Sequence, residues 1–388
     1  MSFHARHLLE AEERRRRYER GEIDETPKQI RSPRELAGEG GNMSVIGWRE
    51  ARLSELLRDG IVLRMRGEKL RESASFADLA AAVLAESGRP VAEGQHPIET
   101  IRLAMHTVHD FPGLLGTAAE RVFLPTYETA PAVSRRCSGT RTLNSLRDVD
   151  FIRPAEFPPL LEIGAGGEYE QADLVIDAES GRVAKYGRTV GLAEELMLAN
   201  DAGGFGELMR SAAGAVVEAE EALFWGYVTS GSGGNGPTLS DGAQLFATGG
   251  KTLASSGAAI STTSIGVGIA DMAEQATPTG RKGVASPRWL VCPPSLLGLA
   301  QVELSKMQPA ADPAHRITPV ASPHLTGAAW YLFADASPAL ARLSLSYWPR
   351  PKLDTRYAQR VDGLEIKVSH QFGTVATGRV GIWKNAGA

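Results

Sequence analysis

Phe205-GELMRSAAGAVVEAEEALFWGYVTSGSGGN-Gly236 is the stretch on which the reading of this chain turns. Phe205, Leu208, Ala212, Val216, Ala219, Leu223 and Tyr227 recur every three or four residues, with Glu218, Glu220 and Glu221 mostly off that stripe, which predicts one long helix from Phe205 to Thr229. At 1.5 Å per residue such a helix spans roughly 37 Å. It runs straight into GSGGNG (Gly231–Gly236), which matches the G-x-G-x-x-G of a dinucleotide-binding turn, and a little further on comes GGKT (Gly249–Thr252). A dinucleotide turn works between a strand and a helix, with the helix N-terminus facing the pyrophosphate. Here the order is inverted, and Pro237 follows at once, so the glycines read as a flexible end to the helix. A phosphate-binding loop ending at Lys251 needs a glycine where this chain has Leu245, and LFATGG before it is not a strand. Neither glycine motif supports nucleotide binding.

The composition narrows the class. A chain of 388 residues with 43% hydrophobic residues has room for two domains, or for one elaborate domain with long excursions. A formal net charge of -4 argues against a general nucleic-acid binder, which needs a basic surface to displace counterions. Cys137 and Cys292 are too far apart in sequence to suggest a disulfide framework or a metal spacing, and they fit a reducing cytoplasm. No apolar run has the length of a signal peptide core or a membrane span, so neither secretion by that route nor a membrane partner is expected.

Outward from the long helix, the pattern changes several times. Residues 1–72 are charged, with EERRRRYER at Glu12–Arg20, and read as short polar helices on an arm. Helices are predicted at Phe76–Glu86, at about Pro97–His109 and at Pro112–Phe123. From about Gly139 to Arg188 short polar runs, Pro154, Pro158, Pro159 and the Gly164–Gly167 cluster suggest a long hairpin reaching on the order of 60 Å. Such a two-stranded ribbon is marginal alone in water, so it is expected to lie on another molecule. Beyond the glycine loop comes a Ser/Thr/Ala/Gly-rich region to about Gly283. After it, Trp289–Val291 and Trp330–Phe333 read as buried strands and Pro294–Met307 as a helix with Leu297, Ala300, Leu304 and Met307 inward. Leu343, Leu345 and Tyr347 alternate, as do Leu364, Ile366 and Val368 after the Asp362-Gly363 turn signal, and both read as half-buried strands.

No catalytic constellation emerges. His106 and His109 of HTVHD share a helix face with Asp110 nearby, but a third metal ligand at a recognisable spacing is lacking. Cys292 in VCPPS reads as a small core residue. Glu194, Glu195 and Glu218–Glu221 read as solvated positions rather than an acid/base pair, and Arg14–Arg17 as a solvated helical face, with contact to an acidic partner or to nucleic acid as the minority reading. We therefore expect no catalytic, cofactor-binding or metal residues and no cofactor.

The ordered segments carry a resemblance. DFPGLLGTAAERVF (Asp110–Phe123), KYGRTVGLAEELMLANDAGGF (Lys185–Phe205), the long helix ending ALFWGYVTSG, SDGAQLFATGGKTLASSGAAIS (Ser240–Ser261), RWLVCPPSLLGLA (Arg288–Ala300), AAWYLFADA (Ala328–Ala336) and DGLEIKVSHQFGTVATGRVGIWKN (Asp362–Asn385) resemble, in order, the major capsid proteins of tailed phages. The likeness spans Phe76 to Asn385 and is nearest to the capsid part of prohead protease/major capsid fusion proteins and to Mu-like head subunits. It implies the α+β Hong Kong 97 phage fold. Residues 1–138 would form an N-terminal arm and helices, 139–188 the extended E-loop hairpin, 189–230 the peripheral (P) domain with its spine helix, 231–350 the axial (A) domain, and 351–388 the returning P-domain strands and C-terminus. It further implies self-assembly as pentamers and hexamers of an icosahedral shell enclosing double-stranded DNA in the virion, assembled in the bacterial host cytoplasm. Portal, decoration or scaffolding proteins would be its other partners. Residues 1–72 are too short and polar for the serine protease of the fusion members, so this chain is not expected to process itself. An encapsulin-like nanocompartment shares the fold and is the rival reading; a nucleotide-binding enzyme is the remote one.

Overall fold

The computed structural model describes residues 80–81, 84, 95–107, 110–152, 160, 162–163, 178–193, 202–277, 285–307, 316–358 and 363–388. The expected arm at 1–72 and its arginine run, His109, the Gly164–Gly167 cluster and Glu194–Glu195 lie outside them. Of the helix expected at Phe76–Glu86, residues 80, 81 and 84 are described and helical, and Ala80 and Leu84 are buried.

The architecture is α+β. The first sheet is built on β10 (Gly363–Ala376), a fourteen-residue strand. Along one side β10 pairs antiparallel with β4 (Ala184–Ala193); along the other it pairs first with β9 (Lys352–Ala358) and then with β8 (Leu340–Leu345). A parallel strand, β1 (Gly139–Leu143), closes the far side of β8. Leu364 and Ile366 of β10 and Leu353 of β9 face two helices, α2 (Asp110–Thr129) and α4 (Ala202–Val228). Between these layers Leu115 and Phe123 of α2 meet Phe205, Met209, Ala213 and Val217 of α4. α1 (Pro97–Thr107) adds Ile101 and Ala104. The helix expected to end at Phe123 continues through Pro125 to Thr129. An interior proline costs about 3 kcal/mol, and the burial of Tyr127 beyond it compensates.

The second sheet has the order β11-β7-β5-β6: β11 (Ile382–Asn385), β7 (Trp330–Phe333), β5 (Trp289–Cys292) and β6 (Thr318–Ala321). β7 is buried on both faces and divides its side chains strictly by parity. Trp330 and Leu332 pack with α5 (Thr262–Glu274) and α6 (Leu297–Met307), whereas Tyr331 and Phe333 pack with Phe224, Trp225 and Val228 at the end of α4. The long helix thus plugs into the second sheet as well as covering the first. α5 is a helix the sequence reading did not expect. Its signal is a capping box of two serines, with the Ser261 side chain accepting from the Ser264 amide at 3.1 Å and the Ser264 hydroxyl from the Ser261 amide at 2.9 Å.

Three details differ from expectation. The buried stripe of α4 runs through Phe205, Met209, Ala213, Val217, Phe224, Trp225 and Val228, one position from the expected set, and it includes Glu220 and Glu221. β8 is buried at five of its six positions because both its faces are covered, Ala341, Leu343 and Leu345 packing with Phe151 and Val183 and Leu340 with the cluster at the end of α4, and Tyr347 lies beyond the strand at 54% exposure. Among the described residues of 139–188, only β2 (Val149–Ile152) and β3 (Ala178–Gly181) pair with each other, from Val149↔Gly181 to Ile152↔Ala178. The flanking β1 and β4 belong to the first sheet.

Candidate functional site

The glycine loop is organised around a cation. Gly231, Gly233, Gly234 and Gly236 all adopt positive φ, between 64° and 79°, a region that side chains with a Cβ enter at a cost. The turn is tight: a Cβ at Gly231 would lie 2.3 Å from the Gly236 carbonyl. This path points carbonyls inward. Lys384 of β11, only 3% exposed, donates from Nζ to Gly233 O (3.0 Å), Gly234 O (2.6 Å) and Asn235 Oδ1 (2.8 Å). Three acceptors match the three ammonium protons, while burial draws the Lys384 pKa below the ordinary lysine value. A phosphate site would need N–H groups facing inward; this loop presents oxygens, and a lysine of the same chain fills it. Replacing Lys384 with methionine strands those acceptors and should cost about 1–3 kcal/mol in urea unfolding, without any response to added nucleotide.

GGKT has a comparable fate. Lys251, at φ +52°, pairs with Glu274 of α5. Thr252 is fully buried, its hydroxyl accepting from the Ala247 amide at 2.8 Å and donating to the Leu245 carbonyl at 3.1 Å. Gln275 ties this turn to β11, donating to the carbonyls of Lys251 (3.1 Å) and Ile382 (2.7 Å) and accepting from the Gly381 amide (2.7 Å).

The reading of Glu220 and Glu221 as solvated is corrected: each is 6% exposed. Glu220 Oε1 accepts from Tyr127 Oη at 2.5 Å and lies 2.9 Å from His370 Nε2 on β10; Glu220 Oε2 lies 3.4 Å from Arg135 Nη2. The Arg135 guanidinium also covers the Tyr127 ring at 4.5 Å. Burial pushes the Glu220 carboxyl upward, but the hydrogen bonds from His370 and Tyr127 and the charge of Arg135 outweigh it, so it sits below its usual value. Burial, reinforced by the Glu220 charge, raises Tyr127 far above an ordinary phenol. Both directions place the proton on Tyr127 and the charge on Glu220, so His370 Nε2 must carry a hydrogen to bond that carboxylate. Beside it, Glu221 accepts from the Ser134 amide of α3 (Ser134–Cys137) at 2.8 Å and from Trp225 Nε1 at 3.1 Å.

By residue type, Glu220, His370 and Tyr127 could form an acid/base set. Their geometry gives them another use. With His370 at 5% and Glu220 at 6% exposure, and Arg135 packed over Tyr127, a substrate has no approach. The set bolts α2, α3, α4 and β10 to one another.

The remaining candidates are quickly placed. Cys292 is fully buried in the second core, and burial lifts its thiol to about 11; Cys137 is buried too, and burial followed by the Glu221 charge pushes its thiol well up. Such thiols are poor nucleophiles. Among the described residues no group of three or more His, Cys, Asp or Glu side chains could hold a metal, and no helix is long and apolar enough to cross a membrane. The exposed large apolar side chains include Leu146, Tyr347 and Trp348 near the β1–β8 end, Tyr186 and Val190 on β4, and Val267, Leu299 and Val302 on α5 and α6. They mark surface available to partners.

What the chain offers is thus a double-sheet body, anchored internally by charged groups, with apolar side chains on several faces. The phage capsid protein family matches residues 177–385, more than half of the chain, and the chain belongs to that family. It is a capsid shell protein. Among curated proteins nothing matches. Solved structures that it is similar to include the capsid of cyanophage P-SCSP1u (12% identity, 66% of this chain and 88% of that one, TM-score 0.47). Others are the capsid of a native GTA particle (12%, 66% and 92%, 0.47) and a virus-like particle from Pyrococcus furiosus (13%, 69% and 97%, 0.42).

Proposed function

We propose that this capsid protein assembles as pentamers and hexamers into an icosahedral phage head around double-stranded DNA, with the Hong Kong 97 arrangement of parts. The family match over 177–385 carries the reading. In this reading α4 is the spine helix and, with β4, β9 and β10, the P domain; the second sheet with α5 and α6 is the A domain; β2 and β3 are the root of the E-loop. The pairing of β2 with β3 at the two ends of the expected hairpin supports it, since a two-stranded ribbon extending beyond the body would be marginal alone and would need a neighbouring subunit to hold it. The role is structural rather than enzymatic, the site of action is the virion, and portal, scaffolding or decoration proteins and packaged DNA are the further partners.

Negative-stain microscopy of the purified full chain tests this: closed particles of tens of nanometres are expected, and a stable monomer at every concentration and salt tried would refute it. Nuclease-protected DNA in particles recovered from the host would separate a phage head from a compartment loaded with protein.

A further inference from the structure

β2 and β3 pair over four residues, and two contacts fix that pair to the body. Phe151 of β2 and Glu179 of β3 are register partners, so their side chains share a face of the ribbon, and each is 8% exposed. Phe151 enters an apolar cluster with Val183, Leu343, Leu345 and Val375. Glu179 does something different: its Oε1 accepts from the Ser240 amide at 3.0 Å and from the Ser240 hydroxyl at 2.7 Å.

Ser240 is itself held firmly. It belongs to a turn closed by Leu239 N→Ala243 O (2.9 Å) and Gly242 N→Leu239 O (2.9 Å). Arg379 clamps that turn, pairing with Asp241 through both terminal nitrogens (Nη2 to Oδ1, 2.7 Å) and donating to the carbonyls of Gln244 (2.9 Å) and Ala243 (2.7 Å). Close backbone contact completes the root. A Cβ on Gly181 would lie 2.9 Å from Phe151 and Val375, and one on Gly373 only 2.2 Å from the Arg182 carbonyl.

An apolar pivot alone lets a short ribbon rock, because dispersion contacts are not directional; a hydrogen-bonded carboxylate on a clamped turn is directional. A buried carboxylate also adds little to stability compared with an apolar residue of the same size, so a role in fixing geometry accounts for it better. We propose that Glu179 is the positioning residue that sets the direction in which the hairpin leaves the subunit, and through it the curvature of the shell. The inference rests on the reading of the hairpin as an intersubunit arm.

The test compares parent, E179A, S240A and a chain in which residues 153–177 are replaced by a short glycine-serine turn, by thermal unfolding and electron microscopy. E179A is expected to keep its far-UV circular dichroism and a Tm within about 5 °C of the parent, yet to lose the single particle diameter, giving mixed sizes and open sheets. S240A, which retains the amide donor, should broaden the diameters less. Uniform shells of parental diameter from E179A overturn the proposal while leaving the hairpin's role intact; normal shells from the 153–177 replacement sink that underlying reading instead. Should E179A lose its fold, S240A decides: broadened diameters support the proposal and uniform shells overturn it.

Discussion

Glu220→Ala is expected to lower the unfolding free energy by about 3–5 kcal/mol, the range for removing one member of a buried ion pair. The substitution leaves the Tyr127 hydroxyl and His370 Nε2 without their acceptor and removes the carboxylate facing Arg135. The pH dependence makes the result diagnostic. Because the folded Glu220 titrates below its ordinary value of 4.5, its stabilisation is complete above that value and disappears as pH falls through the folded pKa. The gap between parent and variant should therefore be constant near neutral pH and narrow below about pH 4.5. Urea unfolding of the subunit, followed by the fluorescence of Trp225 and its neighbours, measures both. A gap that stays constant down to about pH 3.5 would show that Glu220 contributes through shape and not through charge.

The second large effect belongs to Trp383. It is fully buried on β11, its ring centroid 5.2 Å from that of Trp330 and its Nε1 donating to Asp271 Oδ2 at 3.0 Å. Gly268 of α5 is shaped to it, since a Cβ there would come within 3.0 Å of the indole. Trp383→Ala removes the indole from a site where α5 and β11 are backed by other elements and cannot close the gap, so about 3–5 kcal/mol should be lost. Calorimetry of the subunit should show the melting point fall by roughly 10 °C, and Trp383→Phe, which keeps most of the volume, should recover over half of it. If Trp383→Ala melts within a degree or two of the parent, the second sheet does not limit the stability of the subunit.

Some of this structure could be read from residues alone. Trp330–Phe333 shows itself because four large apolar residues in a row, bounded by small and polar ones, fit only a strand covered on both faces. The long helix shows itself by its period, but its face is misplaced by one position. Alanine and valine occur on both sides of the true stripe, and two glutamates stand on the buried side, where a hydrophobicity pattern reads them as solvent-facing. Their partners are far away along the chain: Tyr127 is 93 residues and His370 150 residues from Glu220. The same distance hides the purpose of GSGGNG. Its glycines announce an unusual backbone, but whether that backbone presents N–H groups or carbonyls depends on Lys384, which comes about 150 positions later. Strand β1 joins the sheet beside β8 across 202 residues, where no local signal could pair them. Patterns within one element are legible; pairings between distant elements are decided by what the rest of the chain brings to them.

The lysine cradle also sets a clock. Gly233 and the lysine that fills its loop are 151 residues apart, so at the usual pace of protein synthesis about 8–30 s pass between their additions to the chain. During that interval the loop lacks its cation, β7 lacks its outer strand and the end of α4 has no finished sheet to enter. A partly made chain therefore cannot present a completed second sheet to other subunits, and only whole subunits can compete for places in a growing shell. Ribosome-bound chains stopped near residue 370 should accordingly be cut by protease at the Ser230–Ala247 loop, which finished subunits protect.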